Sequence, residues 1–259
     1  MEKRAALLVV DMEVIEHPPL FVIPGIPDHV TYTWLVMLVL VGLSFAASRN
    51  LQMVPRGLQN FMEMVLEQFF TLLDDVIGAE GRRYLPLIAT LGLFILVSNL
   101  MGLLPGLIAP TANLNTTAAC ALIVFFAYHW IGIRKQGVVG YLKHLCGPIP
   151  WLAPLMFIIE IFSHLARPLS LALRLFGNMT GGHILLSVIF FLSLALAGWG
   201  FSGSLAGAIG GLPASGLMIL FTVGFLIPLK ILVSFLQAFI FVMLSMLYIA
   251  GAIEEAEHH

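Results

Sequence analysis

The sequence predicts an all-α polytopic membrane protein, and three observations carry that prediction. Of 259 residues, 60% are hydrophobic and only 10% charged, with a mean hydropathy of +1.02; soluble domains carry about 25% charged and 45–50% apolar residues. Charges are also unevenly spread, since residues 30–48 and 84–133 contain no Asp, Glu, Lys or Arg. Finally, the last hundred residues are nearly all apolar yet hold isolated charges at Glu160, Arg167, Arg174 and Lys230. This composition excludes a soluble globular enzyme, a disordered chain and a secreted disulfide scaffold. A net charge of −2 and a pI near 6.4 provide no basic surface, so a nucleic-acid partner is not expected. Cys120 and Cys146 have no metal-ligand spacing and read as inert thiols; no metal or cofactor is expected. Lys3 and Arg4 precede only a short apolar run before Asp11, too short for a cleavable signal.

The chain reads as one membrane domain over residues 1–259, opening with an outer segment at 1–29. A crossing needs about 20 mostly apolar residues. Residues 30–48 meet that as the first span. Residues 58–77 are different: Asn60, Glu63, Glu67, Thr71 and Asp74 recur every three or four positions among Phe, Met, Leu and Val. That is an amphipathic surface helix. Its polar face is acidic rather than basic, which suits a protein partner as well as a lipid surface. The uncharged run 84–133 breaks at Pro105-Gly106 and at 110–115, giving a hairpin of spans at 84–104 and 116–133. Two long helices follow, at 150–199 and 213–251, with a Gly- and Ser-rich turn between them carrying Pro213. At ~1.5 Å per residue each far exceeds the ~30 Å hydrocarbon thickness, so both must tilt strongly, kink or run partly in the membrane plane. Gly203, Gly207 and Gly211 fall in the expected turn and read as a flexible connection.

Arg49, Arg56, Arg82 and Arg83 lie in one connection and Arg134, Lys135 and Lys143 in another, whereas the 105–115 and 198–216 turns have no Lys or Arg. The positive-inside rule places the first two in the cytoplasm. About five crossings result, with the N-terminus outside and the C-terminus inside.

Glu160, Arg167 and Arg174 are spaced by seven, which turns a helix by about 700° and leaves all three on one face. Gly181 continues that row, and Ser163, Ser170 and Gly177 form a second row beside it. A charged face lined with small residues suits close approach by another helix in lipid. An arginine at mid-span costs ~2.5–3.5 kcal/mol on the insertion scale. Arg174, with apolar sequence on both sides, therefore calls for a compensating carboxylate from a partner. Lys230 and Gln237 are also seven apart; with His183, on the opposite face from Arg174, they can meet across the hairpin. Asn178, four residues after Arg174, lies near its face.

The run Ala166-Arg167-Pro168-Leu169-Ser170-Leu171-Ala172-Leu173-Arg174-Leu175-Phe176-Gly177-Asn178-Met179 closely resembles the signature of subunit a of the F-type ATP synthase, bacterial type. Leu236-Gln237-Ala238-Phe239-Ile240-Phe241 and Pro110-Thr111-Ala112-Asn113-Leu114-Asn115-Thr116 resemble that family's other motifs. The resemblance implies a proton-conducting stator in the bacterial inner membrane, lying against a ring of c subunits and held by the b-subunit peripheral stalk and the remaining synthase subunits, with membrane lipid around it. It also implies that ATP chemistry resides on other subunits, which fits the lack of a phosphate-binding loop here. Arg174 falls on the family's essential arginine, separating two half-channels. Asn178, His183, Lys230 and Gln237 occupy outer positions, and Glu160 and His164 sit nearer the cytoplasmic exit. The ring-contact face holds Arg167, Ser163, Ser170, Gly177 and Gly181.

Those implied roles are physically coherent. A guanidinium stays charged, so Arg174 cannot hand a proton on. Beside it a ring carboxylate is favoured as the anion; away from it, against lipid, desolvation favours the protonated acid. Each charge crossing the membrane yields ~2.3 kcal/mol per 100 mV. The sequence departs from the family where His183 and Lys230 stand in place of residues that are commonly Glu, and Glu or His. Two such basic groups side by side cannot both be charged cheaply, so His183 is expected to carry the proton. Asn113 stands where the family commonly has Asp. A sodium-translocating form of the same subunit and a self-contained secondary transporter are the competing readings; the second predicts internal repeats, and none is visible.

Overall fold

The computed structural model describes residues 23–254 except Asn50, Pro105, 146–152 and 202–204. The expected outer segment 1–29 therefore lies largely outside the described residues, as do Cys146 and Gly203. In chain order the helices are α1 (Asp28–Ser48), α2 (Leu58–Val76), α3 (Leu85–Met101), α4 (Leu114–Leu145), α5 (Ala153–Gly200), α6 (Leu205–Phe221) and α7 (Ile227–Glu254). Short 3-10 turns at Ala79–Tyr84 and Pro110–Ala112 precede α3 and α4, and a π-helical turn, Thr222–Leu226, joins α6 to α7. No strand occurs among the described residues. Five stretches are long and apolar enough to cross a membrane, so the chain is an all-α multi-pass membrane protein.

Local sequence sets the ends. Asp28 sits in the first turn of α1, where the helix dipole favours a negative charge. Pro86 occupies the first turn of α3, where its missing N–H costs nothing. The amide of Asn113 opens α4, its Oδ1 accepting from the Asn115 N–H at 2.9 Å. A neutral side chain thus performs the cap that an Asp would. Helix α4 runs past the expected end at 133 but breaks at Gly137, whose φ of +74° suits a residue without Cβ.

The last hairpin differs from expectation at its turn. The sequence places the second helix at 213, yet α6 begins at Leu205 and carries Pro213 inside it. The glycines that suggest a loop instead permit contact between backbones. A methyl group on Gly211 would fall 2.6 Å from the Leu196 carbonyl oxygen and 2.8 Å from the Gly200 nitrogen. Gly211 is thus a close-packing residue between α5 and α6 rather than part of a flexible connection. The π-helical turn has a local cause too: Pro228 lacks an N–H and its ring crowds the carbonyl four residues back, at Gly224, inside that turn.

Helices α3, α4, α5 and α7 pack around one apolar cluster that includes Ile88, Ile95, Val124, Leu171, Leu175, Phe241, Met246 and Ile249. Tyr32 and Val36 of α1 dock separately against Met101. Outward-facing Leu38, Phe45, Phe126, Leu165, Phe191, Leu217 and Leu220 are more than half exposed, an apolar exterior suited to lipid. Contacts between connections define two ends. Lys135 at the end of the α4 span pairs with Glu80 at 2.5 Å, and Arg82 pairs with Asp74 of α2 at 2.6 Å. These two basic connections therefore share one end. Tyr32 near the start of α1 donates to the Gly106 carbonyl at 3.2 Å, which joins the start of α1 to the uncharged turn at the other end.

Candidate functional site

Helix α5, 48 residues long, carries most of the candidate residues. A seven-residue repeat drifts by about 20° per step on a straight helix. The structure shows that drift as a change in burial. Glu160 and Arg167 are half-buried, whereas Arg174 and Gly181 are exposed; Ser163 is half-buried, whereas Ser170 and Gly177 are exposed. Arg174 has no ion-pair partner among the described residues. A methyl group built on Gly177 or Gly181 would meet nothing within 4 Å. Nothing inside the chain requires glycine at either place. The open surface thus combines an unpaired guanidinium with a strip that has no side chains. Arg167 leaves this surface: its guanidinium turns inward to lie 5.9 Å from the ring centre of Tyr128 and 5.4 Å from that of Tyr248.

Two polar sets lie behind that face. The one on the Gly106 side joins α5 to α7. Asn178 Nδ2 donates to Gln237 Oε1 at 2.6 Å, and Lys230 Nζ lies 3.3 Å from His183 Nδ1. Lys230 and Gln237 are buried on one face of α7, as their spacing predicts. Asn178 joins this set through its bond to Gln237 although its backbone sits near the Arg174 row. Only one proton fits between Lys230 and His183: an ammonium donates to a neutral imidazole, or an imidazolium donates to a neutral amine. His183 Nε2 is buried without a hydrogen-bond partner in the described structure, directly under Gly102, where a methyl group would fall 2.9 Å from it. The uncharged turn at 106–113 is tied to the helices around this set. Thr111 donates to Asn99 Oδ1 at 2.7 Å, Asn99 Nδ2 donates to the Ser234 carbonyl at 3.3 Å, and Thr180 donates to the Ala112 carbonyl at 3.3 Å.

The second set lies toward the basic connections. His164, buried in α5, presents Nε2 to Glu160 Oε1 at 3.3 Å and Nδ1 to the Tyr128 hydroxyl of α4 at 3.1 Å. His129 stands beside it, ring centres 5.1 Å apart, with its Nδ1 turned to the Phe125 carbonyl at 2.8 Å. Among the described residues the interior between the two sets is mostly apolar, and the hydroxyl of Ser245, buried there on α7, is spent on the Phe241 carbonyl of its own helix. Leu171, Ala172 and Leu175 of α5 and Ala238, Phe241 and Val242 of α7 are all buried in the common cluster. At ~1.5 Å per residue the 14 residues from His164 to Asn178 span about 21 Å. Arg174 falls between the sets, on the open side.

Sequence spacing brings out Glu160, Asn178, His183, Lys230 and Gln237, the family resemblance adds His164, and the structure groups the six as two sets. It does not bring out Tyr128, Tyr248, Asn99 or Thr111. Tyr128 and Asn99 sit in uncharged spans, Tyr248 in the last long helix and Thr111 in the turn before α4. For Tyr128 and Asn99 the available signal was a hydroxyl or amide inside an apolar span with no nearby turn to use it.

Comparison with known proteins shows the family. A model of the family described as ATP synthase A chain matches residues 30–250. ATP synthase subunit a 1 of Pelobacter propionicus is 50% identical over 234 residues, covering 88% of this chain and 89% of that protein. ATP synthase subunit a of Geobacter sulfurreducens is 47% identical over 243 residues, covering 92% and 93%. ATP synthase subunit a 1 of Syntrophotalea carbinolica is 50% identical over 232 residues, covering 90% and 88%. The chain therefore belongs to the ATP synthase A chain family, subunit a of the Fo sector of F-type ATP synthases.

Proposed function

We propose that this chain is the proton-conducting stator surface of its synthase, set against the c-subunit ring in the bacterial inner membrane, with the b-subunit stalk holding it. The observation that carries the reading is the division along α5: one polar set on each side of Arg174, an apolar block between them, and an open glycine-lined face at Arg174 itself. Among the described residues a proton entering at His183–Lys230 meets no continuous polar route through the interior to His164–Glu160, the Ser245 hydroxyl between them being turned to its own helix. A ring carboxylate carried past Arg174 supplies the missing link. Near the guanidinium it gives up its proton toward one set; away from it, it takes one from the other. The positive-inside rule assigns the end with Arg82 and Lys135 to the cytoplasm, so His164–Glu160 is the inner set. The N-terminal end of α1, tied to Gly106, then faces outward.

Protons are favoured over sodium by the chemistry of the outer set. The buried Lys230–His183 pair in that set has nitrogen rather than oxygen atoms and carries a positive charge whenever either group holds the shared proton, so it passes a proton more readily than it accommodates sodium. The test is ATP-driven acidification of inverted vesicles holding the assembled complex with Arg174→Ala, with blots to confirm that the variant chain assembles. The expected result is loss of pumping with assembly intact and no stimulation of the unmodified complex by sodium. Near-normal pumping in the variant overturns the role of Arg174, and sodium-dependent turnover overturns the proton.

A further inference from the structure

A feature of the inner set has no assigned role. Tyr128 is 1% exposed, so its hydroxyl must find its partner inside the protein. It meets Nδ1 of His164 at 3.1 Å and also interacts with the Arg167 guanidinium, and the other nitrogen of the His164 ring faces Glu160. A neutral imidazole has one donor and one acceptor nitrogen, and which is which depends on what each one meets. An ionised Glu160 accepts only, so Nε2 carries the hydrogen. Nδ1 is then an acceptor, and the phenol donates to it. The three groups form one string from the packed interface of α4 and α5 to the half-exposed Glu160. The phenol's bond to Nδ1 thus keeps the hydrogen of His164 on Nε2, the nitrogen that faces Glu160.

The Tyr128 ring is itself held in place. Arg167 reaches from α5 to lie over both Tyr128 and Tyr248, whose centres are 5.9 Å apart, tying α4, α5 and α7 at this level. Among the described residues, the titratable and charged groups that face His164 include Glu160 and Arg167 from its own helix, Tyr128 and His129 from α4, with Tyr141 behind His129, and Tyr248 from α7. Of these, Tyr128 is the group bonded to Nδ1; His129 spends its own Nδ1 on the Phe125 carbonyl.

We propose that Tyr128 is a positioning residue of the inner proton path: its hydroxyl fixes the tautomer and ring orientation of His164, so that Nε2 faces Glu160 when a proton leaves. This rests on the inner-path reading above, and the experiment separates the two. Tyr128→Phe removes one oxygen and retains the ring beneath Arg167, so packing is preserved. Tyr128→Phe, His164→Gln and the double variant are assembled into complete synthase, checked by blot, and assayed for ATP-driven acidification across a range of pH on the inner face. Expected are a roughly fivefold loss in Tyr128→Phe, of the size one hydrogen bond confers on a rate, a displaced inner-face pH profile, a larger loss in His164→Gln, and no additional loss in the double variant. Losses that multiply in the double variant overturn the proposal, because Tyr128 then acts independently of His164. So does normal pumping in Tyr128→Phe beside an impaired His164→Gln, and in that case the inner path stands. Normal pumping in His164→Gln overturns the inner-path reading itself.

Discussion

Two glycines of α5 and α6 have opposite reasons to be glycine, and substituting each by alanine separates packing within the chain from packing against a partner. Gly211 faces the preceding helix. A new methyl group there would lie 2.6 Å from the Leu196 oxygen, 2.8 Å from the Gly200 nitrogen and 3.0 Å from the Gly200 Cα. Ordinary contact begins near 3.4 Å, so the helices must part by about 0.8 Å, the difference between 3.4 and 2.6. Every obstacle is backbone, so no rotamer change relieves it. Overpacking of this kind costs ~1–3 kcal/mol; backbone obstruction argues for the upper end. Helix propensity returns ~1 kcal/mol for Gly→Ala, leaving a net loss of ~2 kcal/mol. Gly177→Ala meets nothing within 4 Å and retains the propensity gain. The variants should therefore differ by ~3 kcal/mol, or about 6–12 °C in a chain of this size. The assay is graded heating of the detergent-solubilised complex, scored by the fraction of this chain retained, alongside ATP-driven acidification. Gly211→Ala should lose heat resistance. Gly177→Ala should keep the chain stable yet reduce pumping, because its methyl stands where a ring helix must approach. Equal heat resistance in the two variants would refute the packing argument. Full pumping in Gly177→Ala would refute close approach at that face.

Asn99→Leu should destabilise the Gly106 end of the bundle by ~1–3 kcal/mol, because the buried Thr111 hydroxyl and Ser234 carbonyl both lose their partner; heat retention checks it, and Thr111→Val in the same background should then add little. The Asp74–Arg82 pair gives a pH signature. The Arg82 guanidinium hydrogen-bonded to Asp74 holds its carboxyl below the ordinary value. A depressed folded-state pKa means that the contribution is complete above the unfolded value of about 3.9 and is lost as pH falls through the lower folded one. Asp74→Asn should therefore be slightly less heat-resistant than the unmodified chain at pH 7 and indistinguishable from it well below pH 4, the difference being small because the pair is largely exposed.

Much of this architecture is legible because lipid imposes simple rules. Long runs without charge mark the spans, and seven-residue spacing aligns Lys230 with Gln237 on a buried face of α7. The rules fail where one residue type has two uses. Glycine and proline between 198 and 216 read as a turn, yet Gly211 serves contact between helices and Pro213 sits within α6. Arg167 and Arg174 share a row by arithmetic, but helical drift and two aromatic rings draw the first inward and leave the second outside. The pairing of Tyr128 with His164 joins residues 36 apart on different helices, a register set by packing that no periodicity within either helix encodes.

The apolar block between the two polar sets makes its own prediction. Leu175 is fully buried, with Leu171 and Phe241 at 2% and 1% exposure in the same cluster. If this block, together with Arg174, keeps protons from crossing inside the chain, opening a space is not enough to breach it. Leu175→Ala leaves an apolar cavity and should cost ~2–5 kcal/mol of stability. Apolar cavities of even ~150 Å³ stay dry, since water inside one finds no polar partner. Leu175→Ala should therefore weaken the chain without making it leak. Leu175→Asn fills most of the same space but offers a donor and an acceptor, enough to recruit water into the block beside the Asn178–Gln237 set. Vesicles carrying the Fo sector, loaded with a pH-sensitive dye and given a proton gradient, distinguish these outcomes. Leak from Leu175→Asn alone, with Leu175→Ala tight, supports a barrier made of dryness rather than bulk. Leak from both means that the barrier was steric. Tight vesicles in both cases, with assembly intact, mean that Arg174 alone divides the path and the apolar block serves only to hold the helices together.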